Sequence, residues 1–173
     1  VHPTLVPDNH LLAKVDGGLN CVLVQGRSVG PVGFYGYGAG GDPTASAVVA
    51  DLIDAARSLG SANAAPALGF LPDRLQAQPI VPIQGTISSY YLRLRAADEP
   101  GVLKAITSAL AEFDISIEAI LQKEPREHED ATIALITSEV SEARFEKALA
   151  RVSALSLVRE QPSHIRVEHF NHH

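Results

Sequence analysis

The sequence predicts an α+β chain in two parts, and three observations carry that prediction. Residues 1–87 hold twelve of the thirteen glycines, eight of the eleven prolines and only ten charged residues, whereas residues 88–173 hold twenty-four charged residues and one glycine. Such a shift marks a domain boundary. In the first part a strand-like run feeds a loop with four glycines in six residues, Gly36 to Gly41, which opens into a helical pattern. In the second part, alternating and 3.6-residue periodicities follow one another in the order β-α-β-β-α-β, with the helices on one face of an antiparallel sheet in a ferredoxin-like arrangement.

Asn20–Gln25 and Val29–Tyr35 flank Gly26-Arg27-Ser28, a hairpin pattern with β-branched strands and a glycine in the turn. Asp42 has the chemistry of an N-cap and Pro43 that of a first-turn residue. Ala45–Leu59 then sets Val48, Val49, Leu52, Ile53, Ala55 and Ala56 along a helix. Its apolar face is broad enough to predict burial on more than one side. About sixty residues of this kind can hardly build an independent core, so this part is expected to pack against residues outside the chain. Gly60 to Gly85, with prolines at 66, 72, 79 and 82, reads as an extended linker with one helical turn near Leu71–Gln76.

In the second part, Tyr90–Arg95 alternates apolar and charged residues, as a strand with one wet face does. Asp98-Glu99-Pro100-Gly101 turns the chain. Val102, Leu103, Ile106, Ala109, Leu110 and Phe113 recur at helical spacing, and Ile115, Ile117 and Ala119 alternate again. Gln122–Asp130 is polar and reads as a hairpin loop; Ile133 and Leu135 lie in a third strand. Ser141 is placed to cap a helix carrying Phe145, Ala148, Leu149, Val152 and Leu155 on one stripe. His164–Glu168 supplies the last strand.

The net charge of −6 argues against nucleic acid, whose partners are basic. No run of 18 apolar residues is present, so no membrane helix is expected. Cys21 has no second cysteine to pair with and sits in an apolar alternating run, as a buried small hydrophobe would. No signal pattern opens the chain, and a cytoplasmic fragment of a longer protein is the expectation. Three histidines, His169, His172 and His173, are weak grounds for a metal site, and His128 sits in a charged, solvated loop; no metal is expected.

The glycine loop does not match G-x-G-x-x-G, and no ribose-binding acid follows at the expected distance, so no complete dinucleotide site is encoded. Two readings stay open from spacing alone: a tight strand-to-helix turn, or backbone N–H groups brought to a ligand at a helix N-terminus. The longer string narrows the choice. Val1-His2-Pro3-Thr4-Leu5, Ala13-Lys14-Val15-Asp16-Gly17, Asn20-Cys21-Val22, Phe34-Tyr35-Gly36, Gly38-Ala39-Gly40 and Pro43-Thr44-Ala45-Ser46-Ala47-Val48 with Asp51 together resemble the later catalytic region of homoserine dehydrogenase. That resemblance covers most of residues 1–58. Leu94 through Leu103, followed by Phe113-Asp114-Ile115-Ser116-Ile117, resembles an ACT domain over residues 88–168.

The resemblance implies three segments: residues 1–60 from the end of the catalytic region, 61–87 a linker, and 88–173 an ACT regulatory domain. It implies NAD(P)-dependent interconversion of L-aspartate 4-semialdehyde and L-homoserine by the full-length enzyme. No catalytic residue is assigned to this chain, because the Rossmann unit and essential lysine of that family lie outside it, and the chain alone is expected to be inactive and to bind neither NAD nor NADP. Gly38, Ala39 and Gly40 are the implied border of the nicotinamide. Asp98, Gly101, Val102, Leu103, Asp114 and Ser116 are the implied effector residues, with threonine the expected effector and a homodimer or larger the expected assembly. Asp114 stands where many amino-acid-binding ACT domains have asparagine, and an ionised Asp repels a carboxylate. An amino-acid-sensing or purely structural ACT dimerisation module of another metabolic enzyme is the alternative.

Overall fold

The computed structural model describes residues 1–59, 76–123 and 130–170. In chain order the elements are β1 (Thr4–Leu5), β2 (Leu19–Gly26), β3 (Gly30–Tyr37), α1 (Gly41–Ser58), β4 (Ile87–Ala96), α2 (Val102–Ala111), β5 (Ile117–Lys123), β6 (Ala131–Thr137), β7 (Val140–Ser141), α3 (Glu142–Ser153) and β8 (Ser163–Val167), with 3-10 turns at Leu11–Lys14 and Ile83–Gly85. They form two compact units, Val1–Pro7 with Ile80–His173, and Asp8–Pro79. The helical turn expected near Leu71–Gln76, most of the expected loop at Gln122–Asp130, His128 and the last two histidines fall outside the described residues.

In the Asp8–Pro79 unit, β2 and β3 form an antiparallel hairpin in register from Leu19↔Tyr37 to Gly26↔Gly30. Gly30, at φ 74°, takes the left-handed conformation that closes the three-residue connection. Toward the glycine loop, β3 therefore runs two residues further, and β2 one residue further, than the sequence pattern indicates. No described residue of this unit is buried, consistent with a segment too small for a core of its own. Cys21 is half-buried. Within this chain the broad apolar face of α1 is uncovered: Val48, Val49, Leu52 and Ile53 are all exposed, Leu52 by 64%. Amphipathic pattern alone buries nothing; a helix face needs a second layer to cover it.

The second unit has the full core. Its sheet runs β1-β8-β4-β6-β5, with β7 pairing the start of β4. The four strands β8-β4-β6-β5 are antiparallel neighbours, and they carry the ferredoxin-like order. Tyr90, Leu92 and Leu94 of β4 and Ile133 and Leu135 of β6 pack with Ile106 and Leu110 of α2 and Phe145, Ala148 and Val152 of α3. Period-2 strands and period-3.6 helices thus present their apolar sets to one shared interior. Ser141 stands at the N-cap of α3 but makes no side-chain cap bond; it is held instead in the ladder opposite Ile87, and the Glu142 N–H donates to the Thr86 carbonyl at 2.9 Å.

Two features depart from the expected unit. The alternation read through Ile115, Ile117 and Ala119 is broken: Ile115 is buried before the strand starts, and the register shifts between Ile117 and Ala119, leaving Glu118 as the extra residue of a bulge. The sheet also gains a strand from the far end of the chain. β1 pairs parallel to β8, Thr4 opposite Arg166 and Leu5 opposite Val167, and the Glu168 N–H donates to the Leu5 carbonyl at 2.9 Å. One sheet edge is therefore occupied by residues 1–7, while β5 closes the other and, among the described residues, pairs with β6 alone.

Candidate functional site

The glycine loop joins β3 to α1. Gly40, not Asp42, is the N-cap of α1, at φ 122° and without a side-chain cap bond. Only glycine takes that φ without strain, and the Gly40 carbonyl accepts the first helical bond, from the Thr44 N–H at 3.2 Å. Asp42 falls one step inside the helix, in the first turn, where its charge favours the positive end of the helix dipole. Nothing lies within 4 Å of where a Cβ would stand on Gly36 or Gly41, whereas one on Gly38 would meet the carboxamide of Asn20. The loop backbone is thus open at Gly36 and Gly41, and Gly40 is required by the fold as well.

The second group of residues surrounds α2. Gly101 is the N-cap, left-handed at φ 96° and again without a side-chain cap. The Val102 N–H donates to the Glu99 carbonyl at 3.4 Å, and the Ala105 N–H to the Gly101 carbonyl at 2.9 Å. The N–H groups of Leu103 and Lys104 precede the first helical acceptor and have no partner within the helix. Asp98 and Gly101 are exposed, Val102 is buried in the core and Leu103 lies at the surface. The Val102 side chain therefore belongs to the core.

Asp114 is the only described non-glycine residue at positive φ, 53°. The Asp114 N–H donates to the Ala111 carbonyl at 3.0 Å, and the Ile115 N–H to the Leu110 carbonyl at 3.2 Å. That pair of bonds around a left-handed residue is a Schellman C-cap. Asp and Asn are the side chains that tolerate this conformation best after Gly, so the fold itself accounts for the residue type at 114. Ser116 follows, its N–H donating to Ser138 Oγ at 3.3 Å. Asp114 lines an open cleft of about 400 Å³ with Ser141, Arg144 and Lys147. Gly101 and Asp114 lie at opposite ends of a ten-residue helix, about 15 Å apart along its axis. One chain does not bring the two halves of the expected effector site together.

A third cluster has no counterpart in the sequence reading. The Tyr90 hydroxyl donates to Glu142 Oε2 at 2.7 Å. Arg166 donates to the same oxygen through Nε at 3.0 Å and through its terminal nitrogen. Tyr90 stacks on Phe145, centroids 3.6 Å apart. Burial by itself raises the Glu142 carboxyl; the hydrogen bonds from Arg166 and Tyr90 and the Arg166 charge outweigh it and hold the group below the ordinary range. Burial, then the Glu142 carboxylate, push the Tyr90 hydroxyl up, so it stays a donor. These residues are 52 and 24 positions apart; read singly, they are a core aromatic, a first-turn acid and an alternating strand residue.

The homoserine dehydrogenase family profile matches residues 1–53, and that of the ACT domain matches residues 90–156. A homoserine dehydrogenase from Pseudomonas aeruginosa is 46% identical over 174 residues, 99% of this chain and 40% of that protein. One from Neisseria gonorrhoeae is 46% identical over 97% of this chain and 39% of its own length. The crystal structure of a homoserine dehydrogenase from Thiobacillus denitrificans superposes with a TM-score of 0.84 at 46% identity, over 96% of this chain and 38% of that one. The chain corresponds to the C-terminal portion of homoserine dehydrogenases. It spans about two fifths of the length of the curated relatives it matches. Along the chain, Gly38 to Gly40 lie in the dehydrogenase-matched segment and Asp98 to Ser116 in the ACT-matched segment. β1 belongs by sequence to the first and by strand pairing to the sheet of the second.

Proposed function

We propose that the full-length protein is an NAD(P)-dependent homoserine dehydrogenase, interconverting L-aspartate 4-semialdehyde and L-homoserine in the cytoplasmic synthesis of threonine and methionine, and that residues 88–173 regulate it as an ACT domain. The observation that carries the reading is 46% identity to homoserine dehydrogenases through both segments. The dinucleotide supplies the hydride chemistry when bound. In this chain, the part fit to meet it is the Gly38-Ala39-Gly40 loop. Its neighbours Gly36 and Gly41 leave the backbone open to close approach, and the uncapped N-terminus of α1 points N–H dipoles out of the loop. The exposed face of α1, with Val48, Leu52 and Ile53, is suited to pack against the three fifths of the enzyme that this chain does not span.

For the regulatory half, the free N–H groups at the start of α2 suit the carboxylate of an amino acid, and threonine, the pathway product, is the effector proposed. Asp98 and Gly101 to Leu103 from one copy and Asp114 with Ser116 from another complete the site only in a homodimer or larger assembly, since one chain holds them apart. Exposed Leu121 on β5, which among the described residues pairs with β6 alone, supports pairing of copies there. The decisive experiment joins this chain to the N-terminal three fifths of the Pseudomonas aeruginosa enzyme. Homoserine-dependent NAD(P) reduction is expected from the joined protein and none from the isolated chain; activity in the isolated chain, or none in a folded joined protein, contradicts the reading.

A further inference from the structure

Asn20 is an unusual residue for its place. β2 carries Leu19, Cys21 and Leu23 on one face and Asn20, Val22 and Val24 on the other, and Asn is disfavoured in strands. It stands opposite Gly36, one pair in from the end of the hairpin at Leu19↔Tyr37. Gly38 is the first residue beyond β3. A Cβ on Gly38 would stand 1.9 Å from Asn20 Nδ2 and 3.0 Å from its Cγ. The carboxamide therefore stands where a side chain at 38 would project, and a residue there displaces the exposed end of Asn20 rather than backbone. The remaining glycines of the loop have no such neighbour. Gly40 is required by its φ, with only the ring of Pro43 at 3.4 Å, and Gly36 and Gly41 are open.

We propose that Asn20 is a positioning residue: by packing on Gly38 it fixes the path of Gly38-Ala39-Gly40 between β3 and α1, and with it the backbone that borders the dinucleotide. The proposal rests on the dehydrogenase reading above. Only three residues separate the end of β3 from the start of α1. A side chain resting on the first of them therefore constrains all three. Removing the carboxamide frees the loop to sink toward the strand. Enlarging Gly38 displaces the carboxamide from the loop. Either change moves backbone that must meet a ligand to within a fraction of an ångström.

Two measurements test the proposal. The first is a thermal-melting cycle on this chain with N20A, G38A and the double variant. G38A is expected to lower the melting temperature and N20A/G38A to recover most of the loss; a double variant no more stable than G38A overturns the contact. The second uses the joined full-length enzyme, with NADPH binding followed by its fluorescence alongside steady-state kinetics. N20A is expected to weaken NADPH binding and raise the dinucleotide KM by about tenfold, while the homoserine KM stays within about twofold and N20D, of the same shape, stays near the parent. Unchanged NADPH affinity in N20A with turnover intact makes the pair merely structural and overturns the positioning role, leaving the dehydrogenase reading in place. Absence of both NADPH binding and turnover in the unsubstituted joined enzyme overturns both.

Discussion

The hydroxyl of Tyr90 donates to Glu142 Oε2 at 2.7 Å, tying β4 to the first turn of α3 across 52 residues of sequence. Arg166 from β8 closes the group on the same oxygen. Glu142 is only 5% exposed, so its charge is stable there because both partners are present. Truncating one of them leaves a buried charge without compensation. Arg166→Met is expected to cost about 3–5 kcal/mol, and Tyr90→Phe about 1–2 kcal/mol. Urea unfolding followed by circular dichroism measures both. A loss under about 1 kcal/mol for Arg166→Met would show the cluster to be energetically idle.

The same cluster makes stability fall in acid. The folded-state Glu142 carboxyl lies below its ordinary value of 4.5, so the folded state holds the proton less tightly than the unfolded chain. Its contribution is complete above the unfolded value and is lost as pH falls through the folded one. Melting curves from pH 6 downward should show a drop beginning near pH 4.5 that is shallower in Glu142→Gln. Parallel curves for the two proteins would remove Glu142 from the account.

Asp114 carries two costs: a left-handed backbone at φ 53° and a negative charge beyond the C-terminus of α2, where the helix dipole is also negative. Asp114→Gly relieves both and is expected to stabilise the chain by about 0.5–1 kcal/mol. Asp114→Val should destabilise it, because a β-branched residue fits that conformation poorly. A melting temperature that rises with Val and falls with Gly contradicts the cap geometry.

Threonine binding is best tested with two substitutions at one position. Gly101 has φ 96°, so any side chain there strains the turn by about 1–2 kcal/mol before charge is considered. Gly101→Ala carries the strain alone, and Gly101→Asp adds an anion where a carboxylate is proposed. In calorimetric titrations of the associated protein with threonine, and with serine, isoleucine and methionine as controls, Ala should weaken binding and Asp abolish it. No heat from any of the four amino acids at millimolar concentration leaves a structural dimer module as the better account.

Association through the open edge is tested at Leu121, which is 58% exposed on β5. Lysine on an edge strand opposes strand pairing. Leu121→Lys is expected to shift the chain from dimer to monomer in sedimentation equilibrium while leaving its melting temperature nearly unchanged. A dimer that persists unaltered would move the interface elsewhere.

The sequence by itself determined the β-α-β-β-α-β elements of the second unit and their order, though not the two-residue strands β1 and β7. Each strand and helix there carries its own periodicity, and Leu92, Ile106, Leu135 and Val152 had to face one interior because their spacing allows no other burial. It also determined that the first part is a hairpin, a glycine turn and a helix. Tertiary structure alone decided the rest. Thr4 and Leu5 pair with β8 because the unsatisfied backbone groups of an edge strand attract any extended segment, and two residues leave no periodicity to read. Gly40 caps α1 instead of Asp42 because the loop arrives there with positive φ, a torsion that composition does not print. Asn20 covers Gly38, and Tyr90, Glu142 and Arg166 meet, because folding brings distant positions to one place. Gly101 and Asp114, close in the sequence motif, end on opposite sides of α2 because ten helical residues are a rigid spacer of about 15 Å.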